Sequence, residues 1–365
     1  MVIEFESARG LILIKGRING SRPLSLLLDS GAGTSVLDES LIESLGLSQI
    51  GFETAEGAGG SVDAQRLQPV EVQIRARVVG RIPFIGLPIK GIEAALGKTV
   101  DGILGCEFFE QGVVTIDYAE QVVHLGAPPF QNQATEVIAF QLDDGVPLVR
   151  IRMKLSDERT IEGMFGLDTG AQRGLTFYAP FTDENQLLPF PGTAQTLQSG
   201  GVGGQRGTIM GRLEEACLGR FCILRPLAVA SPSAPPGALD STRRAGLLGY
   251  DILQQFTISL DYARGEAYLT PNAHFGTPIE SDMVGIGLQP LPHGIAVTRV
   301  VPESPAEEAG IEVGDLLVQV NGETVSTLRL EEVESRFRIP GQSLDLSLIR
   351  DEIKWMANVV TRRLI

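Results

Sequence analysis

The sequence predicts a mainly β protein: two related β-barrel-like lobes followed by a small α/β domain. Three observations predict it. Short apolar runs alternate with turn residues along 365 positions, with 43 Gly and 21 Pro, the punctuation of many short strands. One ordered set of features occurs twice between about residues 10 and 270. Beyond a Pro- and polar-rich stretch the features change, and a third unit begins. The expected boundaries are 1–133 for the first lobe, 134–270 for the second, 271–282 for a linker and 283–365 for the last domain.

The first lobe opens with an apolar strand over residues 11–18, and Asn19-Gly20 is a strong hairpin signal. The chain returns over 23–28 and runs Leu26-Leu27-Leu28 into Asp29-Ser30-Gly31-Ala32. An apolar strand thus ends in a tight turn that presents one carboxylate. Asp38 is placed to cap a short helix through about residue 45. Strands follow over 52–79, interrupted by a Gly-rich hairpin tip containing Gly57, Gly59 and Gly60. Residues 83–97 read as irregular. Ile103-Leu104-Gly105 then leads into a short helix, and a hairpin around Asp117-Tyr118-Ala119 closes the lobe.

The second lobe repeats this order. Strands over 146–155 and 161–167 run into Asp168-Thr169-Gly170-Ala171. A second Gly-rich tip contains Gly201, Gly203 and Gly204, and a Pro-rich loop spans 231–237. Leu247-Leu248-Gly249 enters a helix, and a hairpin around Asp261-Tyr262-Ala263 closes the lobe. Asp29 and Asp168 are 139 residues apart. Gly105 and Gly249 are 144 apart, and so are Asp117 and Asp261. A nearly constant shift across five features is not plausibly chance.

Two such turns suggest two carboxylates facing each other across a two-fold axis. At this distance both cannot ionise, so they share one proton. The hydroxyls of Ser30 and Thr169 would brace the turns, and Gly31 and Gly170 would permit close backbone approach. The two Gly-rich tips are flap candidates, hairpins that close over substrate and exclude water. Asp117 and Asp261 read as turn residues of the closing hairpins.

At the Asp29 and Asp168 turns, with Ile103-Leu104-Gly105 and Leu247-Leu248-Gly249, the chain resembles the aspartic proteases. Asp-Ser/Thr-Gly-Ala is similar to the retropepsin branch, but two lobes in one chain are similar to pepsin. The resemblance implies an endopeptidase with Asp29 and Asp168 as catalytic residues. Neither Gly-rich tip offers the Tyr that pepsin-like flaps use. Ala32 and Ala171 supply no hydroxyl to stabilise the dyad anion, so the optimum is expected closer to neutral than pepsin's.

The last unit resembles a bacterial-type PDZ domain in Ser304-Pro305-Ala306 with Ala309-Gly310, and in Gly314-Asp315 with Asn321-Gly322. That resemblance implies that Gly285-Ile286-Gly287-Leu288 holds a peptide's terminal carboxylate, and that this domain recruits substrate or partner C-termini by adding them to a sheet edge. A competing reading is a catalytically weak or inactive scaffold that binds peptides in both grooves.

Composition sets limits on the rest. A net charge of -15 argues against nucleic acid or an anionic membrane surface as main partner. No apolar run is long enough to span a bilayer. The start, Met-Val-Ile-Glu-Phe-Glu, lacks the basic and apolar regions of a signal peptide. A cytoplasmic location is the default expectation, with a periplasmic or secreted one for a processed form. Cys106, Cys217 and Cys222 are odd in number and match no zinc spacing. Cys217 and Cys222 are placed to bridge across a hairpin, but free thiols are the favoured reading. His124, His274 and His293 lack metal spacing, and no metal or cofactor is expected. Neither a Gly-x-Ser-x-Gly nucleophile motif nor a phosphate loop is present.

Overall fold

The computed structural model describes residues 1–190, 195–231 and 242–365. Apart from Ser231, the Pro-rich loop expected at 231–237 lies outside them. The chain divides into two compact units. The larger runs to Ile279, apart from Glu93–Lys98 and Gln195, and the smaller contains Glu280–Ile365.

The larger unit holds two ten-stranded sheets of the same topology. In the first, Leu24–Leu28 pairs antiparallel with Leu11–Ile18 and parallel with Gly102–Leu104. In the second, Thr160–Leu167 pairs antiparallel with Val146–Lys154 and parallel with Gly246–Leu248. All five residues of Leu24–Leu28 are buried, Ser25 included, as a strand flanked by strands on both sides should be. The segment that carries each Asp therefore lies in the interior of its sheet.

A third sheet of six strands is shared between the halves, in the order Val2–Glu4, Val122–Leu125, Val114–Asp117, Phe256–Asp261, Glu266–Pro271, Glu136–Ala139. Its central pair sets Thr115 opposite Ser259. Their hydroxyls hydrogen-bond at 2.7 Å in the core. These are equivalent residues of the two repeats, so the pseudo-two-fold axis passes between them. Because the two closing hairpins pair directly, residues 1–133 and 134–270 pack as one unit.

Several local expectations change. Residues 83–97 contain the short strand Ile85–Leu87, paired parallel with Val36–Asp38, and the helix Lys90–Leu96. Three-residue strands are fixed by their partners and leave little periodic signal. The helix after Asp38 is only the 3-10 turn Glu39–Leu41, whose Ser40 N–H donates to Asp38 Oδ1. Cys217 and Cys222 form a disulfide, not free thiols. They stand directly opposite each other in the Glu215–Leu218 and Phe221–Leu224 hairpin, with Cα atoms 4.0 Å apart. Residues 272–276, expected in the linker, are tied to the second lobe: Asn272 Nδ2 donates to the Gln254 carbonyl and Gly276 N–H to Gln255 Oε1.

The smaller unit is a sheet in the order Ile286–Leu291, Gly294–Val300, Leu316–Val320, Ser343–Arg350, Ile353–Val360. The helices Pro305–Glu308 and Leu330–Arg336 accompany it. Its core includes Val297, Leu317, Val320, Val333, Phe337 and Leu346. Ser304 caps the first helix by accepting from Glu307 N–H, with Pro305 in the first turn. Buried Asp315 takes two hydrogen bonds from Arg350, at 2.7 and 2.8 Å.

Candidate active site

The two Asp turns meet on the pseudo-two-fold axis. Each central strand delivers its Asp, whose own N–H is bound by the parallel neighbour: Asp29 N–H donates to the Leu104 carbonyl and Asp168 N–H to that of Leu248. Each carboxylate then accepts from the glycine two residues on, Gly31 N–H to Asp29 Oδ1 at 2.8 Å and Gly170 N–H to Asp168 Oδ1 at 2.7 Å. The turns close with Ala32 N–H on the Asp29 carbonyl and Ala171 N–H on that of Asp168.

The hydroxyls cross the axis. Ser30 Oγ accepts from Thr169 N–H and donates to the Leu167 carbonyl. Thr169 Oγ1 accepts from Ser30 N–H and donates to the Leu28 carbonyl. All four bonds are buried and lie between 2.7 and 3.0 Å. Each turn thus holds the other, and the carboxyl positions cannot shift independently.

The glycines are required by space. A Cβ on Gly31 would lie 2.2 Å from Asp168 Cγ, and one on Gly170 would lie 2.3 Å from Asp29 Cγ. Each glycine lets the opposite carboxyl come close enough for the two to hydrogen-bond. Gly105 and Gly249 admit the turn backbone in the same way: a Cβ would lie 2.6 Å from the Ala32 and Ala171 carbonyl oxygens respectively.

Asp168 is buried and Asp29 half-buried. Burial raises both carboxyls above the ordinary aspartate value. Asp168, which also faces the charge of Asp29, is raised further. Both shifts favour the protonated form of the carboxyls.

The flap candidates come together. Gly57 and Gly60 end one hairpin and Gly201 and Gly204 the other. Gly59 N–H donates to the Val202 carbonyl at 2.8 Å. A Cβ on Gly59 would lie 2.2 Å from Gly204 N, and one on Gly203 would lie 2.5 Å from the Gly60 carbonyl oxygen. A cavity of about 320 Å³ lies beside this junction, lined by Val62, Ile89, Ile92 and the second tip.

Two features escaped the sequence reading. The turns Arg9-Gly10 and Asp144-Gly145 both have positive φ at both positions. They pack beside the helices that follow Gly105 and Gly249: Gly10 against the Tyr250 ring and Gly145 against Cys106. The repeated x-Gly before an apolar strand was the available signal. The other is the burial of Tyr118 and Tyr262, which the sequence reading placed only as equivalent residues of the two closing hairpins. Tyr118 packs on Tyr250, and Tyr262 stacks on Phe109. Asp117 accepts from Ala119 and Glu120 N–H, and Asp261 accepts from Arg264 N–H, both within their hairpin turns.

In the smaller unit, Ile286, Gly287 and Leu288 begin an edge strand paired with Gly294–Val300, and Gly285 turns into it with φ +90°. Of the resembled carboxylate loop, the N–H groups of Gly285 and Ile286 are bonded to Asp282.

Residues 14–108, from the strand Leu11–Ile18 to the helix after Gly105, match the aspartyl protease family. Residues 296–344 match the PDZ domain family. Over 93 residues the chain is 31% identical to the probable CtpA-like serine protease of Staphylococcus saprophyticus subsp. saprophyticus. That match covers 22% of this chain and 19% of the relative's length. The matches to known families thus find an aspartyl protease domain near the N-terminus and a PDZ domain toward the C-terminus.

Proposed function

We propose that this chain is an aspartic endopeptidase in which Asp29 and Asp168 activate a water, and that its C-terminal unit recruits peptides. The observation that carries this reading is the hydrogen-bonded carboxyl pair locked between two symmetric turns. The ionised member takes a proton from water while the protonated member hydrogen-bonds the scissile carbonyl oxygen. The water oxygen adds to the carbonyl carbon while the carbonyl oxygen takes the proton of the protonated member, which gives a gem-diol and leaves one proton on the pair. The C–N bond then breaks, and the leaving nitrogen takes up a proton, so one water is consumed per bond. The shared proton belongs to the pair, not to either residue. The joined flap tips would part to admit substrate and meet again over it.

The test is cleavage of a mixed peptide library between about pH 3 and pH 8 by the wild-type chain, Asp29→Asn and Asp168→Asn. Each Asn keeps the side-chain shape but removes the shared proton. Cleavage by wild type and by neither variant is expected. Cleavage surviving in either variant would sink the two-carboxyl mechanism. Deleting residues 283–365 should lower the cleavage of recruited substrates alone. Unchanged cleavage of every library member would remove the recruiting role.

A further inference from the structure

In the C-terminal unit, one carboxylate already binds the first two backbone N–H groups of the Gly285-Ile286-Gly287-Leu288 loop and that of Val284 before it. Asp282 Oδ2 accepts from Gly285 N–H at 2.7 Å and Ile286 N–H at 2.9 Å, and its Oδ1 accepts from Val284 N–H at 3.1 Å. Three consecutive amides converge on two oxygens of one group, as a backbone nest holds an anion. The loop is fixed around it. Met283 N–H donates to the Phe337 carbonyl, Arg362 N–H to that of Met283, and Val301 N–H to that of Gly285. A Cβ on Gly285 would lie 2.2 Å from Ser304 Cβ, so the turn is pressed against the helix cap.

We propose that Asp282 is a resident occupant of this loop, and that it sets the unit to take internal segments of extended peptide rather than free C-termini. This rests on the reading of that unit as a peptide recruiter. A terminal carboxylate held by this loop would have to displace Asp282 from the Gly285 and Ile286 N–H groups, or lie beside a like charge. An internal segment brings no second carboxylate and meets neither cost. Burial pushes the Asp282 acid up to about 6, so at neutral pH the occupant is ionised and its hydrogen bonds are charge-assisted.

The experiment reads binding alone, in the full-length Asp29→Asn chain, so a failure of the proteolytic mechanism leaves its outcome intact. The probes are two synthetic pools of random decapeptides with the same composition, one ending in a free carboxylate and one amidated. Retention of each pool is measured at pH 7.5 with Asp282 intact, with Asp282→Ala and with Asp282→Asn. With Asp282 intact, equal retention of the two pools is expected. Asp282→Ala should create a preference of roughly tenfold or more for the free-acid pool, the effect of about 1.4 kcal/mol. Asp282→Asn keeps one acceptor and removes the charge, and should give a smaller preference in the same direction. A tenfold free-acid preference with Asp282 intact overturns the proposal. So does any result in which Asp282→Ala gains no such preference, including no retention of either pool. If Asp282→Ala fails to fold by circular dichroism, Asp282→Asn decides alone, and a gain under threefold overturns the proposal.

Discussion

At the entry to the helix after the first Asp turn stands Cys106, a small thiol beside Gly145; at the matching position after the second stands Tyr250, its ring against Gly10 and Tyr118. The helices begin alike, Cys106 N–H on the Ala32 carbonyl and Tyr250 N–H on that of Ala171. Farther out the lobes diverge more. Arg22 and Ser25 N–H hold buried Asp101 in the first lobe, and a stacked Phe177–Phe181 pair lies in the second. What has been kept is backbone geometry, two hydroxyls and the glycines that let carboxyl meet carboxyl. What has diverged is side-chain volume one layer out. Identical turns thus stand in unequal surroundings, with Asp168 the more buried of the two carboxyls.

The comparison is broken most severely at the carboxyls. Asp29→Asn and Asp168→Asn should each lower kcat/KM by roughly a thousandfold or more, because neither half works alone. A variant that keeps a tenth of the activity would mean one lobe carries the chemistry.

Next come the glycines. Gly31→Ala and Gly170→Ala each place a methyl within 2.3 Å of the opposite carboxyl carbon. Each should cost about a hundredfold in kcat, since a displacement of order 1 Å at the reacting groups has that effect. Steady-state kinetics on one cleaved peptide measures it, and a change under fivefold in either would show that the carboxyls need not be this close.

The pH dependence of stability tests what the lobes share. Both carboxyls hold protons more tightly in the folded chain than at the ordinary value of 3.8. The folded state therefore binds protons that the unfolded state has released. This contribution is fully present below the unfolded pKa and is lost as pH rises through the folded values. Asp29→Asn and Asp168→Asn should each flatten the fall in Tm above about pH 4, because either removes the coupled pair. An unchanged slope in both variants would show that the pair does not hold its proton more tightly in the folded chain.

Thr169→Ala and Ser30→Ala each remove a hydroxyl that accepts one and donates one buried hydrogen bond. Each should cost about 2–3 kcal/mol by denaturant unfolding. Thr169→Ser keeps both bonds and makes the turns chemically identical, and should cost about 1 kcal/mol or less. A larger loss there would give the Thr methyl a packing role with no counterpart in the first lobe.

The smallest effect on activity is expected far from the axis. Cys217→Ser opens the disulfide, which the first lobe lacks. Stability should fall by about 2 kcal/mol while kcat/KM stays nearly unchanged. A large loss of activity would connect that hairpin to the site.

Most of the candidate site was legible because its parts are local. An apolar strand that ends in Asp, a hydroxyl residue and Gly carries its own turn chemistry, and repetition at a nearly constant spacing exposes the axis. Asp117 and Asp261 were readable as turn residues for the same reason. The disulfide was not, because Cys217 and Cys222 become opposite only once the hairpin register is set. The strand Ile85–Leu87 was hidden because three residues carry no period, and its stability comes from Val36–Asp38 beside it.

By itself the sequence determined which residues end the two central strands, where the repeat begins again, and where the unit with different turn signals starts. These are matters of periodicity and turn chemistry, which act over a few residues. Tertiary structure alone decided that Ser30 and Thr169 hold each other's turns and that Gly59 meets Val202. Each joins groups that no local preference brings together. They become neighbours only when buried strands pair and the two halves close on one another.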